Sequence, residues 1–105
     1  LQTRSFCYID DMVKLLKSLI LSSKKYKSPF NIGNPVEYSM VDTARKIINL
    51  SKSSSEIKYF DLPENDPLQR KPDINTVKKI FEWSPKVTFD EGVSKTIKYF
   101  KELGE

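Results

Sequence analysis

The chain has 105 residues with 18 basic and 14 acidic side chains, a formal charge of +4, and 38% apolar residues. That length gives one domain or less with a modest core, and the absence of histidine excludes imidazole zinc sites and Ser-His-Asp chemistry within it. A single cysteine, Cys7, rules out an internal disulfide and fits a reducing compartment.

In chain order, "QTRSFCYI" (Gln2 to Ile9) alternates polar and aromatic residues and predicts a short strand. Asp10 or Asp11 then caps a helix whose Met12, Val13, Leu16, Leu19 and Ile20 recur at helical spacing. A lysine-rich stretch, Lys24, Lys25 and Lys27, reads as a solvated loop. Phe30 to Ile32 predicts a buried strand ending at Gly33 and Pro35. Ser39 is a good N-cap, with Asp42 three residues on as a capping-box-like partner, for a helix burying Val41, Ala44, Ile47 and Ile48. Ser51 to Ser55 make a polar turn, and Glu56 to Phe60 alternate as a third strand. Asp73 caps a helix carrying Ile74, Val77, Ile80 and Phe81, ended by Trp83 and Pro85. A last helix from near Asp90 carries Val93, Ile97, Phe100 and Leu103. The pattern is α/β, with about three short strands and four helices, too few strands for a complete doubly wound sheet. No apolar run is long enough to span a membrane, and no signal peptide is visible. The first residue is Leu1, which points to a processed chain or part of a longer one.

Candidate chemistry is sparse. Three glycines cannot make a Gly-x-Gly-x-x-Gly or Gly-x-x-x-x-Gly-Lys phosphate cradle. Glu64, Asp66 and Asp73 lie close in sequence, but a solvated loop with an N-cap explains them better than acid/base catalysis. Arginine is the informative cation, with three against fifteen lysines. Arg45 falls on a solvated helix face. Arg4 sits in the first strand, and Arg70 sits in "PENDPLQRKPDI", where Pro67 and Pro72 restrict the backbone on either side. The guanidinium fork suits a two-pronged grip on phosphate or carboxylate. A loop held in shape lowers the ordering cost of such a grip. The bland alternatives are an ion pair of Arg70 with Glu64 or Asp66, and a strand-edge salt bridge for Arg4.

"TRSFCYIDD", "FNIGNPVEYSM", "DPLQRKPDI" and "WSPKVTFDEGVSKTIKYF" occur in this order. Together they resemble the C-terminal part of UDP-glucuronic acid decarboxylases (UDP-xylose synthases). These are extended short-chain dehydrogenases/reductases, related to UDP-galactose 4-epimerases and dTDP-glucose 4,6-dehydratases in the NAD-dependent epimerase/dehydratase family. The resemblance runs from Gln2 to about Lys101. It implies an incomplete Rossmann-type fold in which residues 1–105 form the C-terminal nucleotide-sugar-binding part and the N-terminal NAD-binding part is absent. In such enzymes NAD oxidises C4 of UDP-glucuronate, CO₂ is lost, and the 4-keto-pentose is reduced to UDP-xylose. By the same resemblance Arg4 and Arg70 match the arginines that grip the UDP-sugar diphosphate. Gln2 and Tyr8 stand beside them as candidate pocket residues, and a core role for Tyr8 is the stronger expectation. Asp73 is read as an N-cap rather than a ligand contact. The Tyr-x-x-x-Lys pair is missing: Tyr8, Tyr26 and Tyr38 are followed four residues later by Met12, Phe30 and Asp42. No catalytic, cofactor-binding or metal residue is therefore expected here, and this chain by itself is expected to bind no NAD and to be inactive. One departure from the family is Glu82, which stands where a left-handed glycine is usual. Val36 is another, at a position that is often small or acidic.

The resemblance implies a homodimer for the full-length protein and leaves the cytosol and the Golgi lumen both open. Alternatives are a 4-epimerase or 4,6-dehydratase segment, or a non-catalytic binding module derived from the same fold. A nucleic-acid module rests only on the basic charge, which is spread rather than clustered.

Overall fold

A computed structural model describes residues 2–104. Six elements follow one another: β1 (Thr3–Ser5), α1 (Ile9–Leu21), β2 (Glu37–Ser39), α2 (Met40–Ser51), α3 (Asn75–Phe81) and α4 (Phe89–Glu102). β1 and β2 pair antiparallel, with Thr3 opposite Ser39, Arg4 opposite Tyr38 and Ser5 opposite Glu37. The Met40 N–H donates to the Gln2 carbonyl at 2.9 Å and carries the ladder into the start of α2. On its other edge β1 is held by the loop before α3, through the Thr3 N–H to the Leu68 carbonyl at 2.9 Å.

The α/β class and the four helices are as the sequence predicts, whereas the strands are redistributed. Neither Phe30 to Ile32 nor Glu56 to Phe60 forms a ladder. A strand exists only through a partner's backbone groups, and among the described residues these two stretches have none. β2 comes from "EYS", three residues whose pairing to β1 has no local signature.

Local chemistry sets most helix ends. The Ser39 hydroxyl accepts from the Asp42 N–H at 3.0 Å, as its N-cap position predicts. α4 starts one residue before Asp90, and the Thr88 hydroxyl caps it by accepting from the Glu91 N–H. Asp73 acts slightly outside its expected place: its carboxylate accepts from the Asn75 N–H at 3.0 Å, while the residue at the cap itself is Ile74. Neither Asp10 nor Asp11 caps α1. Tyr8 occupies that position without a side-chain bond, and both aspartates lie in the first turn. α3 ends at Glu82 with φ 51°, the left-handed conformation expected at that site.

The core is small. Leu15, Ile74, Val77 and Trp83 are buried, with Cys7, Leu19, Phe30, Ile32 and Phe81 packed around them. α1 faces this core through Leu15 and Asp11, both buried. The stripe predicted for α1 is therefore corrected: it left out the buried Leu15, and its Val13, Leu16 and Ile20 are 52%, 44% and 80% exposed, in line with Ile9 at 65%. α1 is apolar on two faces, and only one finds a partner in this chain. On α4, Val93 and Ile97 are half-buried while Phe100 and Leu103 stand exposed. α2 and α4 lie side by side, tied by Lys46 and Asp90 at 2.9 Å. The Cα radius of gyration is 16.5 Å, against roughly 13 Å for a compact domain of this length.

Candidate functional site

Arg4 and Arg70, 66 residues apart in sequence, line one cleft of about 750 Å³. Its walls are the end of β1, the start of α1, the extended stretch from Phe30 to Asn34, and the loop from Arg70 to Asp73. Lys71 adds a third cation, and Asp73 is the acidic residue in the lining. The chain passes close where these walls meet. Gly33 is buried, and a Cβ there would stand 3.0 Å from Pro72 Cγ. A side chain at position 33 would thus push the arginine loop outward.

Arg4 is held firmly. Its Nη1 donates to the Thr3 carbonyl at 2.7 Å. Its Nη2 donates to Asp66 Oδ1 at 2.7 Å and to the Pro67 carbonyl at 2.8 Å. Of five guanidinium N–H groups, these contacts leave the Nε–H and one Nη1 hydrogen uncommitted. The strand-edge salt bridge weighed for Arg4 is therefore present, and Arg4 borders the cleft as well. Arg70 is exposed and makes no hydrogen bond or ion pair among the described residues. The alternative pairing of Arg70 with Glu64 or Asp66 is not formed among the described residues, and Asp66 is taken by Arg4.

The other two candidates lie outside the cleft lining. Gln2 stands next to Arg4 in a supporting place: its Nε2 donates to Asp66 Oδ2 at 3.0 Å. Tyr8 lines a separate pocket of about 210 Å³ with Phe6, Thr43 and Val87. Its ring lies against Gly92, with Lys95 Nζ 5.7 Å from the ring centroid. Tyr8 is thus half-buried and packed on α4, away from the arginine cleft.

Sequence reading named Asp66 as a loop acid or a partner of Arg70, Gly33 as a strand end and Asp11 as a helix cap, and missed the role that each of them plays. Asp66 and Gly33 owe those roles to neighbours distant in sequence. Asp11 had only the double acid "DD" as a hint. It is buried at 2% exposure, its Oδ2 accepts the Lys86 and Val87 N–H groups at 3.1 and 2.9 Å, and its carbonyl accepts Trp83 Nε1 at 3.0 Å. Cys7 borders the cleft, and its thiol is pushed above its ordinary pKa by burial first and by the Asp11 charge second.

The cleft suits an anion: two guanidinium groups and an ammonium against one carboxylate. No group of metal-ligating side chains occurs among the described residues. The chain's glycines are Gly33, Gly92 and Gly104, in none of which a glycine-rich phosphate turn can be built.

No known family profile matches the chain. It is 44% identical over 100 residues to UDP-glucuronic acid decarboxylase 1 of Xenopus tropicalis, covering 95% of this chain and 23% of that protein. It is 46% identical over 92 residues to UDP-glucuronic acid decarboxylase 6 of Arabidopsis thaliana, covering 88% of this chain and 26% of that one. The chain therefore spans about a quarter of the length of the curated relatives it matches. Among solved structures it superposes on a UDP-glucuronic acid 4-epimerase from Bacillus cereus in complex with UDP-glucuronic acid and NAD. That match has a TM-score of 0.85 at 26% identity and covers 97% of this chain and 33% of that one. The UDP-glucose 4-epimerase of Thermotoga maritima with UDP-glucose matches with a TM-score of 0.87 at 25% identity, over 99% of this chain and 33% of that one. In sequence the chain is similar to UDP-glucuronic acid decarboxylases, and its fold is that of the matching third of extended short-chain dehydrogenases/reductases of the epimerase/dehydratase type.

Proposed function

We propose that this relative of the UDP-glucuronic acid decarboxylases is the nucleotide-sugar-binding part of such an enzyme, with Arg4 and Arg70 gripping the diphosphate. The observation that carries the reading is that a cleft of about 750 Å³ brings together two arginines separated by 66 residues. Among the described residues Arg70 brings a guanidinium with no partner of its own, and Arg4 brings two uncommitted N–H groups. Charge-assisted bonds of this kind are the strong ones for phosphate recognition. The reaction proposed for the whole protein is loss of CO₂ from UDP-glucuronate to give UDP-xylose. This chain's share is to bind and orient the substrate.

The remainder of the protein is proposed to supply the dinucleotide site and the catalytic residues, so that this chain alone is inactive. Its shape supports that division. The extended radius of gyration, the four-residue buried core and the bare stripe Ile9, Val13, Leu16 and Ile20 are those of a piece that packs on more protein.

The test is calorimetric titration of UDP into the protein containing this chain. Arg70→Ala and Arg4→Ala are each expected to weaken binding on the order of tenfold or more. Unchanged affinity in both variants would remove the diphosphate assignment. A second reading, a nucleotide-sugar 4-epimerase, is favoured by the solved neighbours. The product decides: UDP-xylose with CO₂ release supports the decarboxylase, and an epimerised hexuronate with no gas supports the other.

A further inference from the structure

We infer that Asp66 is a positioning residue for the anion site, acting on the ligand through Arg4; the inference rests on the diphosphate reading of the cleft. Asp66 divides its two oxygens between the strand's polar groups, Oδ1 to Arg4 at 2.7 Å and Oδ2 to Gln2 at 3.0 Å. The next two residues continue the clamp: the Pro67 carbonyl takes Arg4's other Nη2 hydrogen, and the Leu68 carbonyl takes the Thr3 N–H. Residues 66–68 thus dock on residues 2–4.

The backbone just before the clamp is shaped for it. The Asp66 N–H closes a turn on the Pro63 carbonyl at 3.2 Å, with Asn65 in the left-handed region at φ 65°. Asparagine tolerates that conformation better than most residues. Arg70 follows Asp66 by four residues, a tether of at most ~14 Å when fully extended. The same short loop therefore fixes one arginine and carries the other.

A carboxylate beside an anion site needs a reason. Its charge opposes the ligand, yet its side chain is 35% exposed and the repulsion is screened by solvent and salt. Arg4 is a long side chain whose freedom must be lost when it grips a ligand. Asp66 removes that freedom in advance, as preorganisation does.

The experiment is a double-mutant cycle read by UDP calorimetry in the protein that contains this chain. Asp66→Ala is expected to weaken UDP binding about 3- to 10-fold, the cost of ordering one long side chain. In an Arg4→Ala background the same change is expected to do nothing. Asp66→Asn keeps the shape and is expected to change affinity in the same direction, which guards against misfolding of the alanine variant. Tighter binding on loss of Asp66 would mean that repulsion dominates, and an equal loss in both backgrounds would mean a merely structural role; either overturns the inference. A ligand-free readout stands beside it. In ¹⁵N spectra of the arginine side chains, Arg4 is expected to show separate, slowly exchanging Nη–H signals that collapse in Asp66→Ala. Free rotation of Arg4 in the unmodified protein would overturn the inference even if UDP binds. An ordered Arg4 with no UDP binding would instead count against the diphosphate reading alone.

Discussion

The ring of Tyr8 lies so close to α4 that a Cβ on Gly92 would stand 3.0 Å from Tyr8 Cδ1. The contact joins the start of α1 to the last helix, and it sets opposing effects against each other. Alanine favours a helix over glycine by about 1 kcal/mol. Overpacking a filled contact costs about 1–3 kcal/mol. Gly92→Ala is expected to destabilise the protein by about 1 kcal/mol net, read as a lower urea midpoint at unchanged slope. A higher midpoint would show that the ring gives way freely.

Asp11 is expected to be the more damaging site. Its carboxylate satisfies two backbone N–H groups in the loop between α3 and α4. Asp11→Ala leaves both without that partner and is expected to cost roughly 2–4 kcal/mol. Asp11→Asn, which keeps one acceptor, is expected to cost less. Equal losses for the two would point to the charge rather than to the hydrogen bonds.

Glu82 closes α3 in the left-handed conformation with φ 51°. Glu82→Gly relieves that strain and is expected to stabilise by about 0.5–1 kcal/mol. Lys52, with φ 55° at the end of α2, is a parallel case. Thermal unfolding of the two glycine variants checks both.

Cys7 is expected to be a poor nucleophile at neutral pH. Burial raises its thiol pKa, and the Asp11 charge raises it further, so the reactive thiolate forms only at higher pH than in an open peptide. Its alkylation rate by iodoacetamide at pH 8 is expected to fall below that of a model thiol, with the whole pH profile displaced to higher pH. Asp11→Asn removes the smaller cause and is expected to move the profile partway back toward lower pH. A profile matching the model thiol would show that the site is open to water.

What was legible in the sequence was what depends on near neighbours. The Ser39 cap, the α3 stripe through Ile74 and Val77 and the left-handed Glu82 all follow from residues a few positions apart. β2 was not, since "EYS" becomes a strand only by meeting Thr3 to Ser5 more than 30 residues away. The face of α1 failed for a different reason. "VKLLKSLIL" is apolar around most of its circumference, and periodicity does not say which side finds a partner. Both arginines could be singled out from residue type and loop chemistry. The carboxylate that holds Arg4 could not, because the pair is separated by 62 residues.

The join between Asp11 and the loop before α4 is made to main-chain amides, not to side chains. Every residue but proline carries such an amide. The join itself therefore lets positions 86 and 87 drift toward other non-proline residues. The cost of change is concentrated on one side of the contact, at Asp11. A library randomised at position 86, whose side chain is exposed, should return folded variants of almost any composition, with proline as the residue it rejects, while position 87 is held to apolar residues by the pocket it lines.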